Sequence, residues 1–295
     1  MATGRIIKAL SGFYYVQDGD RVIECRGRGV FRKKKITPLV GDYVTYESDF
    51  EREGTVVEIE ERKNELIRPP IANVDQAILV FSSIEPEFSP SLLNRFLVLV
   101  ESKGIQPLIC ITKMDLLTPN GAEKIHQFSE DYRSVGYTVV CTSSKTKEGV
   151  EQILPYLDNK VSVFSGQSGV GKSSLLNAIR PELELKTSTI SASLGRGKHT
   201  TRHVELIPVS VHGHVADTPG FSSLEFTEIE LEDLPFCFPE MVKLSHNCKF
   251  RGCLHINEPK CAVKHAVEHA EIPKYRYEDY LQFADEIKDR KPRYS

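Results

Sequence analysis

The chain has 295 residues and a formal net charge of −3, with 40% hydrophobic and 27% charged residues, which is ordinary for a soluble globular protein of two or three domains. No run of about 18 apolar residues predicts a membrane span. The net negative charge argues against nucleic-acid binding over the whole surface, although it leaves room for a local basic patch.

The cellular setting follows from the first residues and from the cysteines. Residues 1–20 lack the apolar core and small-residue cleavage site of a signal peptide. Seven cysteines, an odd number, fit a reducing compartment in which clustered cysteines are metal ligands rather than disulfides. We therefore expect a cytoplasmic protein.

Residues 1–65 carry short runs with strand composition, separated by glycines. The runs are 5–10, 13–16, 21–25, 42–47 and 55–59. Several short strands at this spacing predict a small barrel. Five strands fit an OB-fold, a common platform for nucleic acids, and an SH3-like barrel would give nearly the same pattern.

A basic stretch lies within this predicted barrel. Its six cations, with no acidic residue among them, are Arg26, Arg28, Arg32, Lys33, Lys34 and Lys35. A solvated loop between strands and a loop that contacts phosphates both agree with this composition.

From about residue 66 the pattern changes to alternating strands and helices. The predicted strands are 76–81, 107–112, 137–141 and 161–164, and the predicted helices are 91–103, 122–135, 149–157 and 174–179. Such alternation predicts a mostly parallel, doubly wound sheet, in which ligands bind at the carboxyl ends of the strands.

Two short segments at such strand ends could bind a purine base. In Thr112-Lys-Met-Asp115, the Asp115 carboxylate can accept from the ring N–H and the amine of guanine, and adenine offers no such pair. Lys113 would lie along the base, and Met114 completes the segment. The segment resembles the Asn-Lys-x-Asp element of guanine-nucleotide proteins, with Thr112 in the asparagine position. After the next strand, Ser143, Ser144 and Lys145 would lie near the guanine carbonyl oxygen.

A complete phosphate-binding loop follows the fourth strand and precedes a helix. Its residues are Gly166, Gln167, Ser168, Gly169, Val170, Gly171, Lys172, Ser173 and Ser174. The glycines allow backbone amides to converge on phosphates, Lys172 reaches the β- and γ-phosphates, and the Ser173 hydroxyl is a magnesium ligand.

A further segment, Asp217-Thr-Pro-Gly220, fits the element that senses a γ-phosphate. Asp217 would hold magnesium through water, and the Gly220 amide would bond the phosphate. Residues 186–202 lie between this segment and the phosphate loop. Their many serines, threonines and glycines predict a mobile switch segment. Thr201 or Thr200 would be the second magnesium ligand there, and resemblance to other switches favours Thr201.

The catalytic water requires a polar group near this element. Phe221 follows Gly220 at a position where many GTPases have a glutamine that orients the water. His199 in the switch is the nearest polar replacement. We therefore predict His199, Thr201 and Lys172 as the catalytic residues.

The last third of the chain contains a Cys/His cluster followed by two helix-like runs, 262–270 and 275–288. Cys248, Cys253, His255 and Cys261 offer three thiols and one imidazole within fourteen residues, as in a closed structural zinc site. Nearby lysines and Arg251 would give this module a basic face suited to RNA.

In their order along the chain, these segments resemble a circularly permuted GTPase, because the base-reading segments precede the phosphate loop. With the flanking modules, the whole chain resembles the RsgA family of ribosome small-subunit-dependent GTPases. The resemblance favours the OB barrel and implies three domains: an OB-fold RNA-binding domain (1–65), a permuted α/β GTPase domain (66–222) and a mostly helical zinc-binding domain (223–295).

The resemblance also implies cofactors and partners. The cofactors are GTP or GDP with Mg²⁺ and one structural Zn²⁺. The partners are the small ribosomal subunit and its rRNA, together with other assembly factors, and slow intrinsic hydrolysis would be stimulated by the subunit. We expect a monomer that does not bind membranes.

Two other functions remain open from the sequence. One is a permuted GTPase that assists assembly of the large subunit, which both flanking modules disfavour. The other is a noncatalytic RNA-binding scaffold that uses GTP only as a conformational ligand. It stays open because Phe221 stands where many GTPases have the water-orienting glutamine.

Overall fold

A computed structural model describes residues 1–29, 31, 35–48, 52–67, 69–183, 204–216 and 224–290. Within these residues the chain forms a β-barrel, a central sheet flanked by helices, and a helical C-terminal module. Among the helices described, none combines the length and apolar character needed to cross a bilayer.

The N-terminal barrel is closed and has five strands. They are β1 (Ala2–Leu10), β2 (Phe13–Asp18), β3 (Arg21–Gly27), β4 (Tyr43–Glu47) and β5 (Glu53–Ile59). The strand order β1-β2-β3-β5-β4 closes by antiparallel pairing of β1 with β4, and β3 runs parallel to β5. This is the order of the OB-fold, so the OB prediction is confirmed and the SH3-like alternative is excluded.

A two-stranded hairpin, β6 (Glu65–Ile67) and β7 (Pro70–Ala72), joins the barrel to the sheet. Ile71 is fully buried and forms a bridge with Val40 of the barrel. Gly41 makes this approach possible, because it has a φ of +93° and a Cβ there would lie 2.0 Å from the Ala72 carbonyl oxygen.

The central sheet has six strands in the order β10-β9-β8-β11-β13-β12. Their bounds are β8 (Gln76–Ser82), β9 (Gln106–Thr112), β10 (Thr138–Cys141), β11 (Val161–Ser165), β12 (Leu206–Pro208) and β13 (His214–Ala216). All neighbours are parallel except β12 and β13. Every residue of β8 and β11 is buried, as expected for parallel strands covered on both faces.

Helices cover both faces of this sheet. They are α1 (Pro90–Glu101), α2 (Pro119–Ser134), α3 (Leu154–Leu157) and α4 (Lys172–Ile179). One apolar core contains Leu93 and Tyr132 of α1 and α2 and continues into the barrel, and the other contains Leu157 and Leu175 of α3 and α4. The predicted alternation of strands and helices is confirmed.

The C-terminal module is built from α5 (Pro239–Ser245), α6 (Ala262–Glu268) and α7 (Lys274–Asp289). Its core includes Phe238, Tyr280 and Phe283, and Val98 of α1 belongs to the same cluster. The sequence predicted α6 and α7 but not α5, although Pro239 at its start is an ordinary helix-start signal.

Candidate functional site

The candidate nucleotide site lies at the carboxyl ends of β9, β10 and β11. Three of the predicted segments begin at these strand ends: Thr112 ends β9, Thr142 follows β10 and Gly166 follows β11. Parallel strands bring these ends to one edge of the sheet, the usual position of ligands in such folds.

The phosphate loop wraps closely around the amino end of α4. Gly166 has a φ of +142°, and a Cβ there would lie 2.1 Å from the Val80 carbonyl oxygen. Gly171 caps the helix with a φ of +97°. Only glycine adopts these conformations at so little steric cost. The loop therefore presents backbone amides and the positive end of the helix dipole to an anion.

Lys172 lies inside this loop. Its Nζ donates to the carbonyl oxygens of Gly166 at 2.8 Å and Gln167 at 2.6 Å. Burial lowers the pKa of Lys172 below its usual value. The ammonium is thus held by the loop backbone in a partly desolvated position, where its attraction for a phosphate is strong.

Thr112 links the base-reading segment to the phosphate loop. It is 1% exposed, and its Oγ1 lies 2.5 Å from the Val170 carbonyl oxygen and 3.2 Å from that of Phe81. A hydroxyl has a single hydrogen, so the shorter contact to Val170 is the better donor–acceptor pair. Threonine is shorter than asparagine, but its hydroxyl reaches Val170 because the two segments lie in direct contact.

Asp115 is oriented by the neighbouring segment. Ser143 Oγ donates to Asp115 Oδ1 at 2.6 Å and accepts from the Thr146 backbone N–H at 3.1 Å. Lys113 adopts a left-handed conformation with a φ of +61°, and its ammonium donates to the Glu85 carbonyl oxygen. The Asp115 carboxylate is therefore fixed before any ligand arrives.

The base-reading and phosphate-binding segments face one cavity of about 640 Å³. Thr112, Lys113, Asp115, Ser144 and Lys145 line one part, and Gly171 and Ser174 line another. Met114 and Ser143 belong to the same two base-reading segments, and Ser143 is fully buried. The volume lies within the range of small-molecule sites. The cavity is thus large enough for one small-molecule ligand that contacts both segments.

The remaining loop residues complete this description. Ser168 and Gly169 lie at the exposed tip of the loop, and Ser173 is buried at the start of α4.

The predicted His199, Thr200, Thr201, Asp217 and Gly220 lie outside the described residues. Between residues 201 and 217, Glu205 lies just before β12 and contacts the barrel: Lys8 Nζ lies 2.8 Å from Glu205 Oε2.

The predicted metal ligands come together in the C-terminal module. The ligand atoms of Cys248, Cys253, His255 and Cys261 all lie within 4.8 Å of one another. Cys248 Sγ is 3.9 Å from Cys261 Sγ, and His255 Nδ1 lies 3.6 and 3.3 Å from those two sulfurs. Tetrahedral zinc with its usual bond lengths separates two sulfurs by about 3.8 Å and a sulfur from a nitrogen by about 3.5 Å. The donor set therefore fits a tetrahedral ion.

Neighbouring groups hold residues 248–261, the metal-ligand loop, in place. The Glu258 carboxylate accepts from the backbone N–H groups of Leu254 at 2.8 Å, Ile256 at 2.9 Å and Asn257 at 3.1 Å. The Tyr277 hydroxyl donates to the His255 carbonyl oxygen at 2.7 Å. Sequence reasoning missed Glu258 and Tyr277, although a lone acidic residue inside a Cys/His loop was a usable signal.

The basic stretch of the barrel is described in part. Arg26, Arg28 and Lys35 are exposed, and Arg32, Lys33 and Lys34 lie outside the described residues. The Arg26 guanidinium stacks over the Phe13 ring at 4.8 Å from its centroid. An exposed cation on an aromatic face is a common feature of surfaces that bind single-stranded nucleic acids.

Family models match the region of the N-terminal barrel and the region of the central sheet. Residues 59–227 match the model described as RsgA GTPase, and residues 3–56 match the RsgA N-terminal domain. Two relatives named small ribosomal subunit biogenesis GTPase RsgA, from Bacillus subtilis (strain 168) and Geobacillus sp. (strain WCH70), are each 64% identical to the chain. Each alignment covers all of both proteins.

Two solved structures share the whole architecture. The crystal structure of YloQ, described as a circularly permuted GTPase, matches with a TM-score of 0.87 and 58% identity, over 100% of this chain and 97% of that one. YjeQ from Thermotoga maritima matches with a TM-score of 0.87 and 38% identity, over 98% of this chain and 99% of that one.

Proposed function

The chain belongs to the RsgA family of circularly permuted GTPases, and we propose that it hydrolyses GTP on the small ribosomal subunit and assists late maturation of that subunit. The relatives from Bacillus and Geobacillus are named small ribosomal subunit biogenesis GTPases, which supports the proposal. The observation that supports the proposal most strongly is the single cavity faced by both Asp115 and the phosphate loop.

In this proposal, guanine is recognised by the oriented Asp115 carboxylate. The hydrogen bond from Ser143 leaves the rest of the carboxylate free to accept two N–H donors from the base. Two charge-assisted hydrogen bonds of about 1.5–3 kcal/mol each discriminate strongly against adenine. Lys113, Ser144 and Lys145 complete the base pocket.

The phosphates lie along the amides of residues 166–171. On nucleotide binding, Lys172 exchanges its bonds to the loop carbonyls for phosphate oxygens, where it stabilises the charge that develops during transfer. Ser173, Thr201 and Asp217 would hold Mg²⁺, which would neutralise phosphate charge. Gly220 binds the γ-phosphate through its amide.

Water activation is assigned to His199. The Phe221 side chain has no polar atom with which to orient the water. In single-turnover hydrolysis with small subunits, His199→Ala should slow phosphate release by orders of magnitude while GTP affinity changes little. Unchanged stimulated turnover in this variant would remove His199 from the mechanism.

The metal centre is proposed to hold one structural Zn²⁺. Four N and S ligands leave no open coordination position, so the ion organises the loop and performs no catalysis.

The exposed cations of the barrel and of the C-terminal module support rRNA as the contacted surface. We further propose domain boundaries near residues 65 and 222, a monomeric state, a cytoplasmic location and contact with other assembly factors.

Phosphate release measured alone, with small subunits and with large subunits tests the assignment. We expect slow release alone and a large increase with small subunits only. Stimulation by large subunits would instead support a large-subunit factor. Nucleotide-dependent RNA binding without any phosphate release would support a noncatalytic scaffold.

A further inference from the structure

A cleft with exposed aromatic walls lies beside the metal-ligand loop. It has a volume of about 340 Å³ and is lined by Phe236, Val242 and Phe250 among others. These side chains are 71%, 45% and 43% exposed. Exposed apolar side chains gathered in one concave site mark an interaction surface more often than a chance arrangement.

The floor of this cleft is rigid. Cys253, Leu254 and His255 line it, and two of them are metal ligands. The Tyr280 hydroxyl donates to the Leu254 carbonyl oxygen, and the Glu258 carboxylate accepts from the Leu254 N–H. A partner entering the cleft therefore meets a prearranged surface, and little ordering entropy is lost on binding.

The rim beside Phe250 is positively charged. Lys249 Nζ lies 5.3 Å from the Phe250 ring centroid. Arg251, the next residue after Phe250, also lines the cleft. Both cations are exposed, and neither forms an ion pair with any other described residue. Glu232 is the one carboxylate among the cleft residues. The local charge therefore favours an anionic partner.

We infer that this cleft binds one unpaired base of an RNA strand, with the base stacked on Phe250 and its flanking phosphates near Lys249 and Arg251. The inference rests on the proposed function, since ribosomal RNA supplies the strand. Proteins recognise RNA mainly at unpaired bases, which stack on aromatic side chains. The volume fits one ring system with its immediate backbone.

A folded protein partner explains fewer of these features. An apolar side chain could fill the cleft but would make no use of the Lys249 and Arg251 charges. A nucleotide uses both the aromatic face and the cations, because its base is apolar on its faces and its phosphates are anionic.

The test compares three variants of the full-length, metal-loaded protein. Phe250→Leu removes the aromatic face but keeps an apolar side chain, and Phe250→Trp keeps a stacking surface. Tyr156→Leu, which changes another exposed aromatic residue on α3 outside the cleft, is the matched control. Each protein is titrated with small subunits in the presence of a GTP analogue, and base reactivity is mapped by chemical probing.

We expect Phe250→Leu to weaken subunit binding about tenfold, the effect of losing one base–aromatic stack, while Phe250→Trp and Tyr156→Leu bind normally. At least one base protected by the unaltered protein should become reactive with Phe250→Leu only. Zinc content and GDP affinity should not change.

Three results would overturn the inference. If Phe250→Leu binds as tightly as the unaltered protein with every protection retained, the cleft holds no base and the proposed function stands. If binding weakens but no base changes reactivity, the occupant is a ribosomal protein. If the unaltered protein does not bind small subunits, both this inference and the proposed function fail.

Discussion

Thr112 illustrates how one side chain couples two binding segments. Its hydroxyl is the contact between the end of β9 and the phosphate loop, at 2.5 Å from the Val170 carbonyl oxygen. Val170 itself is 1% exposed, so its carbonyl has little access to water as an alternative partner. A buried acceptor that loses its donor bears the full cost of desolvation.

Replacing Thr112 by valine should therefore affect both stability and nucleotide binding. Thr112→Val preserves shape but removes the donor, and we expect the free energy of unfolding to fall by about 1–3 kcal/mol. A displaced phosphate loop should also weaken GDP binding about fivefold or more. Urea unfolding and GDP titration measure the two effects. Thr112→Ser, which keeps the hydroxyl, is the control, and equal GDP affinities in the two variants would contradict the coupling.

At the level of secondary-structure elements, most of the fold could be predicted because each element has its own local pattern of residues. Glycines separate the barrel strands, and the apolar runs of β8, β9 and β11 belong to strands buried on both faces. Backbone motifs such as residues 166–173 are local, so their position follows from the adjacent strand and helix. The short helix α5 was missed although a proline begins it.

Contacts between distant segments could not be predicted in the same way. The Thr112–Val170 and Ser143–Asp115 hydrogen bonds join residues 58 and 28 positions apart. The pairing of Arg276 with Asn94 spans 182 positions. No periodic pattern encodes such contacts, because they depend on how complete elements pack together.

Glu258 determines the conformation of the metal-ligand loop, so its replacement should weaken metal binding. Glu258→Gln keeps the size of the side chain but removes the negative charge that three backbone N–H groups share. Outer partners of metal sites typically contribute tenfold to a hundredfold in affinity, so we expect zinc affinity to fall about tenfold. Competition with a chromophoric chelator measures this change. Glu268→Gln, an exposed change on α6 of the same module, should have no effect.

At the scale of the whole molecule, a buried polar network joins the sheet domain to the C-terminal module. Arg276 on α7 is fully buried, donates to both oxygens of Glu240 at 2.6 and 3.1 Å, and donates to Asn94 Oδ1 on α1 at 2.7 Å. The same Asn94 oxygen accepts from the Tyr132 hydroxyl at 2.9 Å, and Asn94 Nδ2 donates to Asp279 at 2.6 Å. Removing one partner from such a network typically costs about 3–5 kcal/mol, so the network fixes α7 and α5 against α1.

The end of α1 adds a pH-dependent group to this junction. Glu101 lines a cavity of about 340 Å³ with Tyr137 and Pro239, and burial raises the pKa of Glu101 from 4.5 to about 7. Between these two pKa values the folded protein retains a proton that the unfolded chain releases. Since the folded state binds more protons, the free energy of unfolding falls as pH rises through this window and stays lower above it.

Glu101→Gln removes this titration, so its free energy of unfolding should increase relative to the unaltered protein as pH rises. Urea unfolding at about pH 5 and about pH 8.5 measures the difference, because other titrating groups contribute equally to both proteins and cancel. Glu151→Gln, an exposed change outside the junction, should leave the pH profile unchanged. Parallel profiles for Glu101→Gln and the unaltered protein would show that Glu101 is ionised at no cost in the folded state. In that case the junction between the two parts would not weaken as pH rises.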